Sequence, residues 1–370
     1  MSDALERLRA ELDELDRALL QTAARRIDVV RSIGALKAEA RLPRYDRERE
    51  RVVYAKARRE AAELGLDPRL AEALIGVLLH ASHGQQQQAL RERVRPLRVL
   101  VVGGGGRMGR RFVEAFRERG HQLAVLERDD GQDVAARVGE AEVVMLAVPM
   151  AQAEAVARSL APLVSPDALL CDINSLKEGI CAAMAACPGE VLGLHPMFGP
   201  TVGSFTKQKV VLCPIRSGPR TVRMREELGA MGMELLDATP REHDQMMAVV
   251  QVLVHFSTLV LGDALRGAGV DMTRSLAFTS PIYRLQLAFV GRLFHQDPEL
   301  YAEIEMSNPY GEAVRQRFLE AAQRLSAAVS AGDRAAFHAM FDAVRGWLGD
   351  FHGDAMRLSD LVIDTLVAQP

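Results

Sequence analysis

The stretch Leu97–Gly109, LRVLVVGGGGRMG, decides the fold of this chain. Its first half is too apolar to be half exposed, which is typical of a buried strand in a parallel sheet. The glycines that follow fit the spacing GxGxxG, which makes a tight turn, lets the backbone approach a pyrophosphate and packs a helix on a strand. The stretch therefore predicts a Rossmann dinucleotide-binding domain. The predicted cofactor-binding residues of this turn are Gly104, Gly106, Arg107, Met108 and Gly109.

The sequence after the turn supports the same interpretation. A helix is predicted over Arg110–Arg119, and a second strand over Gln122–Leu126 ends at Glu127. An acid at this point accepts hydrogen bonds from the adenosine ribose hydroxyls, so Glu127 favours NAD as the cofactor. Arg128, the next residue, leaves NADP open as an alternative.

Three later strands are predicted to lead into ligand-facing loops, because ligands bind at the carboxyl ends of parallel strands. The strand Glu142–Val148 ends at Pro149, and we expect Val148 and Pro149 at the cofactor. The strand Ala168–Ile173 leads to Asn-Ser-Leu-Lys, which makes Ser175 and Lys177 candidates for the substrate pocket. The third, in VLGLHPMFGP (191–200), delivers His195 to the nicotinamide end.

About ninety residues of helical sequence precede this domain. Leucines at positions 5, 8, 12, 15 and 19 recur three and four residues apart, as in a long packed helix. This helix continues towards Pro43, and two shorter helices are predicted over about 46–64 and from Asp67-Pro68 to about 88. A first helix of about 36 residues is ~54 Å long. Its apolar seam is longer than the two shorter helices can cover, so we expect dimerisation.

The polar residues of these helices predict a site for a small dianion. Arg26 and Lys37 lie three turns apart on one helix face, with Cα atoms ~16 Å apart. Arg9 lies ~42 Å along the axis from Lys37, so it can reach only the partner's site in an antiparallel dimer. The remaining candidates fall on shared faces of the second and third helices: Asp46, Arg49 and Glu50, then Ser82 and Gln86.

Together these residues make positions 1 to about 90 resemble the all-helical chorismate mutases that form intertwined dimers. The resemblance implies that Arg9 and Arg26 bind the carboxylates of chorismate. It implies that Lys37 and Gln86 donate to the ether oxygen as its bond breaks, and that Glu50 holds the ring hydroxyl. Asp46, Arg49 and Ser82 would support the site.

A second resemblance covers residues 97 to about 360. The glycine turn, HPMFGP (195–200) and SPIYR…VGR (280–292) together resemble prephenate dehydrogenase. The order of the two parts resembles the bifunctional enzymes of tyrosine biosynthesis, which convert chorismate to prephenate and prephenate to 4-hydroxyphenylpyruvate. The implied organisation is a mutase domain at 1–92, an NAD-binding Rossmann domain at 97–242 and an all-helical substrate and dimerisation domain at 243–370.

The second resemblance also implies roles for individual residues. His195 would polarise the substrate hydroxyl during oxidation, and Arg292 would bind a carboxylate of prephenate. Arg284 and His255 are further substrate-binding candidates, although bare arginines are more often structural and a histidine in an apolar helix is as often a core residue. Tyrosine is expected as a feedback inhibitor.

Composition limits the other possibilities. The chain has 370 residues, 48% of them apolar and 26% charged, with a net charge of −3. It offers no strong field for nucleic acid, and we expect neither a nucleic-acid nor a membrane partner. The N-terminus lacks the pattern of a signal peptide, we expect no apolar run long enough to span a bilayer, and the spacing of the four cysteines fits no metal site. We expect a cytoplasmic homodimer.

Two functional alternatives stay open from sequence alone. The N-terminal helices could be a dimerisation module with a dead site, although a scaffold has no need for Lys37 together with Gln86. Within the dehydrogenase, arogenate is an alternative substrate, and no residue decides between arogenate and prephenate.

Overall fold

The computed structural model describes residues 2–39, 47–86, 95–128, 130 and 133–367. Asp46 lies outside this part, and so do the side chains of Ser82 and Gln86. The chain divides into two compact units. The first contains 1–148, 155–174 and 181–238, and the second contains 149–154, 175–180 and 239–370.

Three helices form the N-terminal part of the first unit within the described residues. Their bounds are α1 Ser2–Glu39, α2 Arg47–Glu63 and α3 Pro68–Gln86. These bounds confirm the predicted helices to within a few residues. Both α1 and α2 pack against α3. The leucine seam of α1 lies open to solvent, with Leu5, Leu8, Leu12, Leu15 and Leu19 between 51% and 63% exposed.

Seven strands form one sheet in the described part of the first unit. Their bounds are β1 Arg98–Val102, β2 Gln122–Leu126, β3 Val143–Leu146, β4 Leu169–Asp172, β5 Glu190–Pro196, β6 Lys209–Arg216 and β7 Glu234–Asp237. Their order in the sheet is β2-β1-β3-β4-β5-β6-β7. The pairs from β2 to β5 are parallel and the five strands match the predicted ones, which confirms the Rossmann fold.

The far edge of the sheet was not foreseen. Strand β6 runs antiparallel to β5, and β7 runs parallel to β6. Helices connect and cover the strands: α4 Arg107–Glu118, α5 Val134–Glu140, α6 Met150–Leu160, α7 Glu178–Met184 and α8 Pro219–Ala230. A short 3₁₀ turn at Ala161–Leu163 follows α6. Buried side chains on β1, β3, β4, β5 and β6 and on α4 and α8 form the core, so the strand ends that carry the candidate residues are rigidly held.

The second unit is helical throughout its C-terminal part. Its bounds are α9 Pro240–Met247, α10 Val254–Gly267, α11 Met272–Ala277, α12 Pro281–Phe294, α13 Pro298–Ser307, α14 Gly311–Ser330, α15 Arg334–Leu348 and α16 Phe351–Val367. The sequence predicts one regular helix from His243 to Leu265. The structure instead places a π-helical segment, Ala248–Leu253, between α9 and α10. Such segments are frequent at functional sites, and the apolar pattern carries no signal for them.

The continuous helical stretch Pro240–Gly267 is 28 residues long and is apolar enough to cross a membrane by length and composition. This stretch contradicts the expectation that no apolar run is long enough to span a bilayer. Only 11% of its apolar window is buried within the chain. A single helix of this kind is weak evidence for a membrane span, because an apolar helix that packs against other protein meets the same two criteria.

Candidate functional sites

The glycine turn lies where the strand order reverses between β1 and β3. Such a switch point is where open α/β sheets bind their ligands. Gly103 has a φ of +79°, and a Cβ there would lie 2.8 Å from the carbonyl oxygen of Ala147. A Cβ on Gly109 would overlap the carbonyl oxygen of Gly103. Helix α4 begins at Arg107, three residues earlier than predicted, and no side chain caps its N-terminus. Its first amides are therefore suited to binding phosphate, so the residues present fit a dinucleotide.

Glu127 lies directly against this turn. Its Oε1 accepts a hydrogen bond from the backbone N–H of Gly105 at 2.6 Å, and its own N–H donates to Asp130 Oδ2 at 3.1 Å. The end of β2 and the glycine turn are thus joined by one carboxylate. Arg128 is exposed, as is Arg107, while Met108 packs on the core of the sheet. Strand β3 ends at Leu146, two residues before the predicted end, so Val148 and Pro149 lie in the connection that follows it.

His195 is buried in β5, 2% exposed, and pairs with Val211 across the antiparallel ladder. The neighbouring strand β4 ends at Asp172, which is fully buried. Its Oδ1 lies 3.4 Å from the backbone N of Leu194, and its Oδ2 accepts the N–H of Asn174 at 2.8 Å. Asp172 therefore ties the ends of β4 and β5 together next to His195.

Asn174 is a candidate that the sequence reasoning missed. Its side chain is 8% exposed, and its Nδ2 finds no hydrogen-bond partner among the described residues. A buried donor without a partner is costly unless a ligand satisfies it, which makes Asn174 a candidate for ligand binding. The signal was its place directly after a buried strand, beside Ser175, which is half-buried.

Asp244 holds the loop that carries Lys177 by hydrogen bonds within the second unit. Its two carboxylate oxygens accept the backbone N–H groups of Lys177 and Glu178, each at 2.8 Å. His243 Nδ1 lies 2.7 Å from Asp244 Oδ1, and the carbonyl oxygen of Asp244 accepts from Asn308. Lys177 itself is completely buried. The sequence His-Asp-Gln at 243–245 predicts only the start of a helix and gives no indication of this role.

The two arginines predicted on SPIYR…VGR both lie on α12. Ser280 caps this helix by accepting the N–H of Tyr283 at 3.2 Å, and Pro281 occupies its first turn. Arg292 is exposed and Arg284 is half-buried. The two arginines are eight positions apart, so their side chains lie ~80° apart around the helix axis, about two turns from each other.

His255 lies on α10 directly after the π-helical segment. Its ring packs edge-on against Tyr301, with centroids 4.9 Å apart. Its Nδ1 is buried without a hydrogen-bond partner in the described part of the chain, and burial lowers the pKa of the ring. Burial keeps His255 neutral, so it can act as a hydrogen-bonding group in a pocket but not as a fixed charge.

A cavity of about 600 Å³ lies beside His255 in the same helical unit. Its wall is mostly apolar and includes Phe256, Phe294 and Tyr301, together with Glu305 and Arg315. Burial raises the pKa of Glu305 to about 7, against the opposing effect of Arg315, whose Nη1 lies 3.9 Å from Glu305 Oε2. Near neutral pH this carboxyl group is therefore only partly ionised.

The mutase candidates are spread over the three N-terminal helices. Arg26 is half-buried, and its guanidinium donates to the carbonyl oxygen of Leu78 on α3 at 3.1 Å. Lys37 is half-buried near the end of α1, whereas Arg9 and Arg49 are exposed. Glu50 is half-buried in the first turn of α2. Its Oε2 accepts a hydrogen bond at 2.7 Å from Lys207, a residue that sequence reasoning did not single out.

Three protein-family models match this chain, in consecutive segments. The model for "chorismate mutase type II" matches residues 8–87. The models for the nucleotide-binding domain and the dimerisation domain of prephenate dehydrogenase match residues 114–228 and 239–343.

Similar proteins extend over nearly the whole chain. The T-protein of Enterobacter agglomerans is 38% identical, over 93% of this chain and 92% of its own length. The T-protein of Haemophilus influenzae is 34% identical over 96% of both chains. Among solved structures, prephenate dehydrogenase from A. aeolicus in complex with hydroxyphenyl propionate and NAD+ has a TM-score of 0.53 and 19% identity. It covers 70% of this chain and 99% of its own.

Proposed function

Because this chain belongs to the T-protein family, we propose that the residues described above carry out two consecutive reactions of one pathway. The chain is a bifunctional enzyme of tyrosine biosynthesis, with chorismate mutase and prephenate dehydrogenase activities. The single observation that carries this function is the presence of all three matching domains in one chain. The proposed domain limits are 1–92, 97–242 and 243–370. Supplying purified protein with chorismate and NAD, and following prephenate and NADH separately, tests both activities.

The mutase reaction needs no acid, base or covalent intermediate, because chorismate rearranges in a pericyclic step. The protein must hold the reactive conformer and stabilise the charge that develops on the ether oxygen. In our proposal Arg9 and Arg26 bind the carboxylates, Lys37 and Gln86 donate to the ether oxygen, and Glu50 accepts from the ring hydroxyl. Asp46, Arg49 and Ser82 support these groups.

The dehydrogenase reaction is an oxidative decarboxylation of prephenate. When bound, NAD supplies the nicotinamide that takes up a hydride from the ring carbon bearing the hydroxyl. We assign the hydrogen bond from that hydroxyl to neutral His195, which polarises the group while the carbon–oxygen bond gains carbonyl character. Loss of the ring carboxylate as carbon dioxide makes the ring aromatic, and the product 4-hydroxyphenylpyruvate retains the hydroxyl. Arg292 positions a carboxylate, and the supporting substrate-binding residues are Ser175, Lys177, His255 and Arg284.

The cofactor proposal is NAD, held by the glycine turn, by Glu127 and by the loop at Val148 and Pro149. It is supported by the close backbone packing of the turn, which only glycine permits at 103 and 109, and by the position of the Glu127 carboxylate beside Gly105. The similar enzyme from A. aeolicus was solved with NAD+.

Glu127 should set the choice of cofactor. A carboxylate that accepts from the ribose hydroxyls repels a 2′-phosphate, so we expect a higher kcat/KM with NAD than with NADP. Replacing Glu127 with alanine should reduce the ratio of kcat/KM with NAD to kcat/KM with NADP. Arg128→Ala should leave kcat/KM with NAD unchanged. Steady-state kinetics with both cofactors measure the effect. Equal kcat/KM values for the two cofactors in the unmodified enzyme would show that Arg128 faces the adenosine instead.

Mutase activity should require two chains. The exposed leucine seam of α1 needs a partner, and helix geometry places Arg9 ~42 Å from Lys37 of its own chain. We expect the Arg9→Ala and Lys37→Ala chains to be inactive alone. Mixed and reassociated, they should regain about a quarter of wild-type activity, because half the dimers are hybrid and each hybrid has one intact site. Hybrid dimers that form but stay inactive would place each site within a single chain.

Two further proposals concern the regulation of the enzyme and its location in the cell. Tyrosine would inhibit by entering the dehydrogenase pocket, since it shares its hydroxyphenyl group with the product. The A. aeolicus relative was solved with hydroxyphenyl propionate, a ligand of the same skeleton.

We place the enzyme in the cytoplasm as a soluble homodimer, a location that suits its four buried cysteine thiols. A dimer would also cover the apolar helical stretch 240–267.

A further inference from the structure

Lys207 connects the nucleotide-binding domain to the mutase helices. It lies in the connection between β5 and β6, and its Nζ donates to Glu50 Oε2 on α2 at 2.7 Å. The carboxylate side chain of Glu50 is 13% exposed and the side chain of Lys207 is 36% exposed. Both groups belong to the same compact unit of the fold. The pair is thus more enclosed than a typical surface ion pair, for which solvent removes most of the effect.

The backbone holds the lysine in an unusual way. Among the described residues Lys207 is the one non-glycine residue with a positive φ, at 61°. This conformation is disfavoured for residues with a Cβ and suits glycine. Its N–H donates to the carbonyl oxygen of Gly232 at 2.8 Å, so the strained residue is fixed to the rim of the sheet.

The connection around Lys207 is also anchored in the core. Phe205 is 8% exposed, and its ring lies 5.5 Å from Phe112 and 5.3 Å from Phe198 between centroids. Ser204 Oγ accepts the N–H of Thr206 at 3.1 Å. The ammonium group is therefore presented to Glu50 from a rigid base rather than from a mobile loop.

We propose that Lys207 is a positioning residue for the mutase reaction, which fixes the carboxylate of Glu50 so that it can accept the ring hydroxyl of chorismate. The inference rests on the proposed role of Glu50. A carboxylate has two oxygens with about four lone-pair sites, so the bond to Lys207 leaves acceptor capacity for the substrate. The mutase site thereby depends on a residue of the nucleotide-binding domain, far beyond the mutase domain limit at residue 92.

The test uses full-length protein and four variants. Lys207→Met removes the charge, Lys207→Arg keeps it, and Lys207→Gly removes it while relieving the backbone at φ 61°. Lys209→Met is the matched control, because Lys209 is exposed on β6 and pairs with Glu234 at 3.3 Å. For each variant we would measure mutase kcat and KM, dehydrogenase activity on supplied prephenate, and the melting temperature.

We expect Lys207→Met and Lys207→Gly to lower mutase kcat/KM by about 10- to 100-fold, the size of effect that a small misplacement of a binding group produces. Dehydrogenase activity should stay near wild type, Lys207→Arg should recover most of the mutase loss, and Lys209→Met should lose none. Lys207→Gly should not lower the melting temperature, so its activity loss cannot be attributed to unfolding. Normal mutase kinetics in Lys207→Gly would overturn the proposal.

A second arm separates this proposal from the assignment of Glu50. If Glu50→Gln has a mutase defect, adding Lys207→Met to it should cause no further loss of mutase activity, because a positioning residue acts on the reaction through the carboxylate that it positions. A loss that multiplies in the double variant would overturn the positioning role while leaving Glu50 in place. A Glu50→Gln enzyme with normal mutase kinetics would reject the role of Glu50, and with it the inference.

Discussion

Replacing Lys37 with alanine is expected to reduce mutase turnover by about 10²- to 10³-fold while dehydrogenase activity on supplied prephenate stays intact. The lysine is assigned to the ether oxygen, where negative charge develops only in the transition state. A donor of this kind therefore affects kcat more strongly than KM. Following the disappearance of chorismate and, separately, the formation of NADH from prephenate measures both activities in one preparation.

Lys56 provides the control for this variant. It is an exposed lysine on α2 that pairs with Glu60 at 3.4 Å, so Lys56→Ala removes the same charge at a distance from the proposed site residues of that helix. We expect it to leave both activities unchanged. An Lys37→Ala enzyme that turns chorismate over at the wild-type rate would remove Lys37 from the site.

Replacing His195 with asparagine should lower dehydrogenase kcat by about 10²- to 10⁴-fold and change KM much less. The hydrogen bond to the substrate hydroxyl strengthens only as the carbonyl forms, so its loss is felt in the transition state. Because neutral imidazole is the acceptor, kcat of the wild type should fall towards acid pH, and this acidic limb should be absent in the variant. The mutase reaction should be unaffected.

Two further variants test the residues that we assign to the dehydrogenase site. Arg292→Ala should mainly raise KM for prephenate and leave the affinity for NAD alone, because it removes a contact made already in the ground state. His295→Asn, at the exposed end of α12, should have no effect. A His195→Asn enzyme that keeps its acidic limb, or an Arg292 variant that binds prephenate normally, would contradict the assignment.

The parts of the fold that could be predicted are those with a local signal. Strand β2 was predicted with its observed bounds, Gln122–Leu126, because a glycine precedes it and an acid follows. The strand that carries His195 was predicted because the four residues before it, Val-Leu-Gly-Leu (191–194), have no polar side chain and Pro196 follows. Helix α3 was predicted from the Asp-Pro pair that begins it. In each case neighbouring residues determine the element.

The parts that could not be predicted depend on residues far apart in the chain. Asp244 accepts hydrogen bonds from two backbone N–H groups more than sixty positions earlier in the chain. The sequence around it indicates only the start of a helix. Lys207 is one of five lysines in the sequence, and no local pattern distinguishes it until the fold brings Glu50 to within 2.7 Å of it. The antiparallel pairing of β6 with β5 likewise depends on the register of the whole sheet edge. Candidate groups were therefore found by their motifs, whereas the residues that orient them were not.

The contacts of Asp244 have a consequence for how this protein can be dissected. A fragment that starts at Thr239 would contain every helix of the C-terminal part. It would lack residues 175–180, and with them the two backbone N–H groups that donate hydrogen bonds to Asp244. In the fragment this carboxylate would lose both backbone donors, and water would have to replace the two hydrogen bonds that now hold the loop. The start of the helical domain in the sequence is thus not a suitable start for an expressed fragment. A stable fragment would also have to include the loop 175–180, attached by a designed linker.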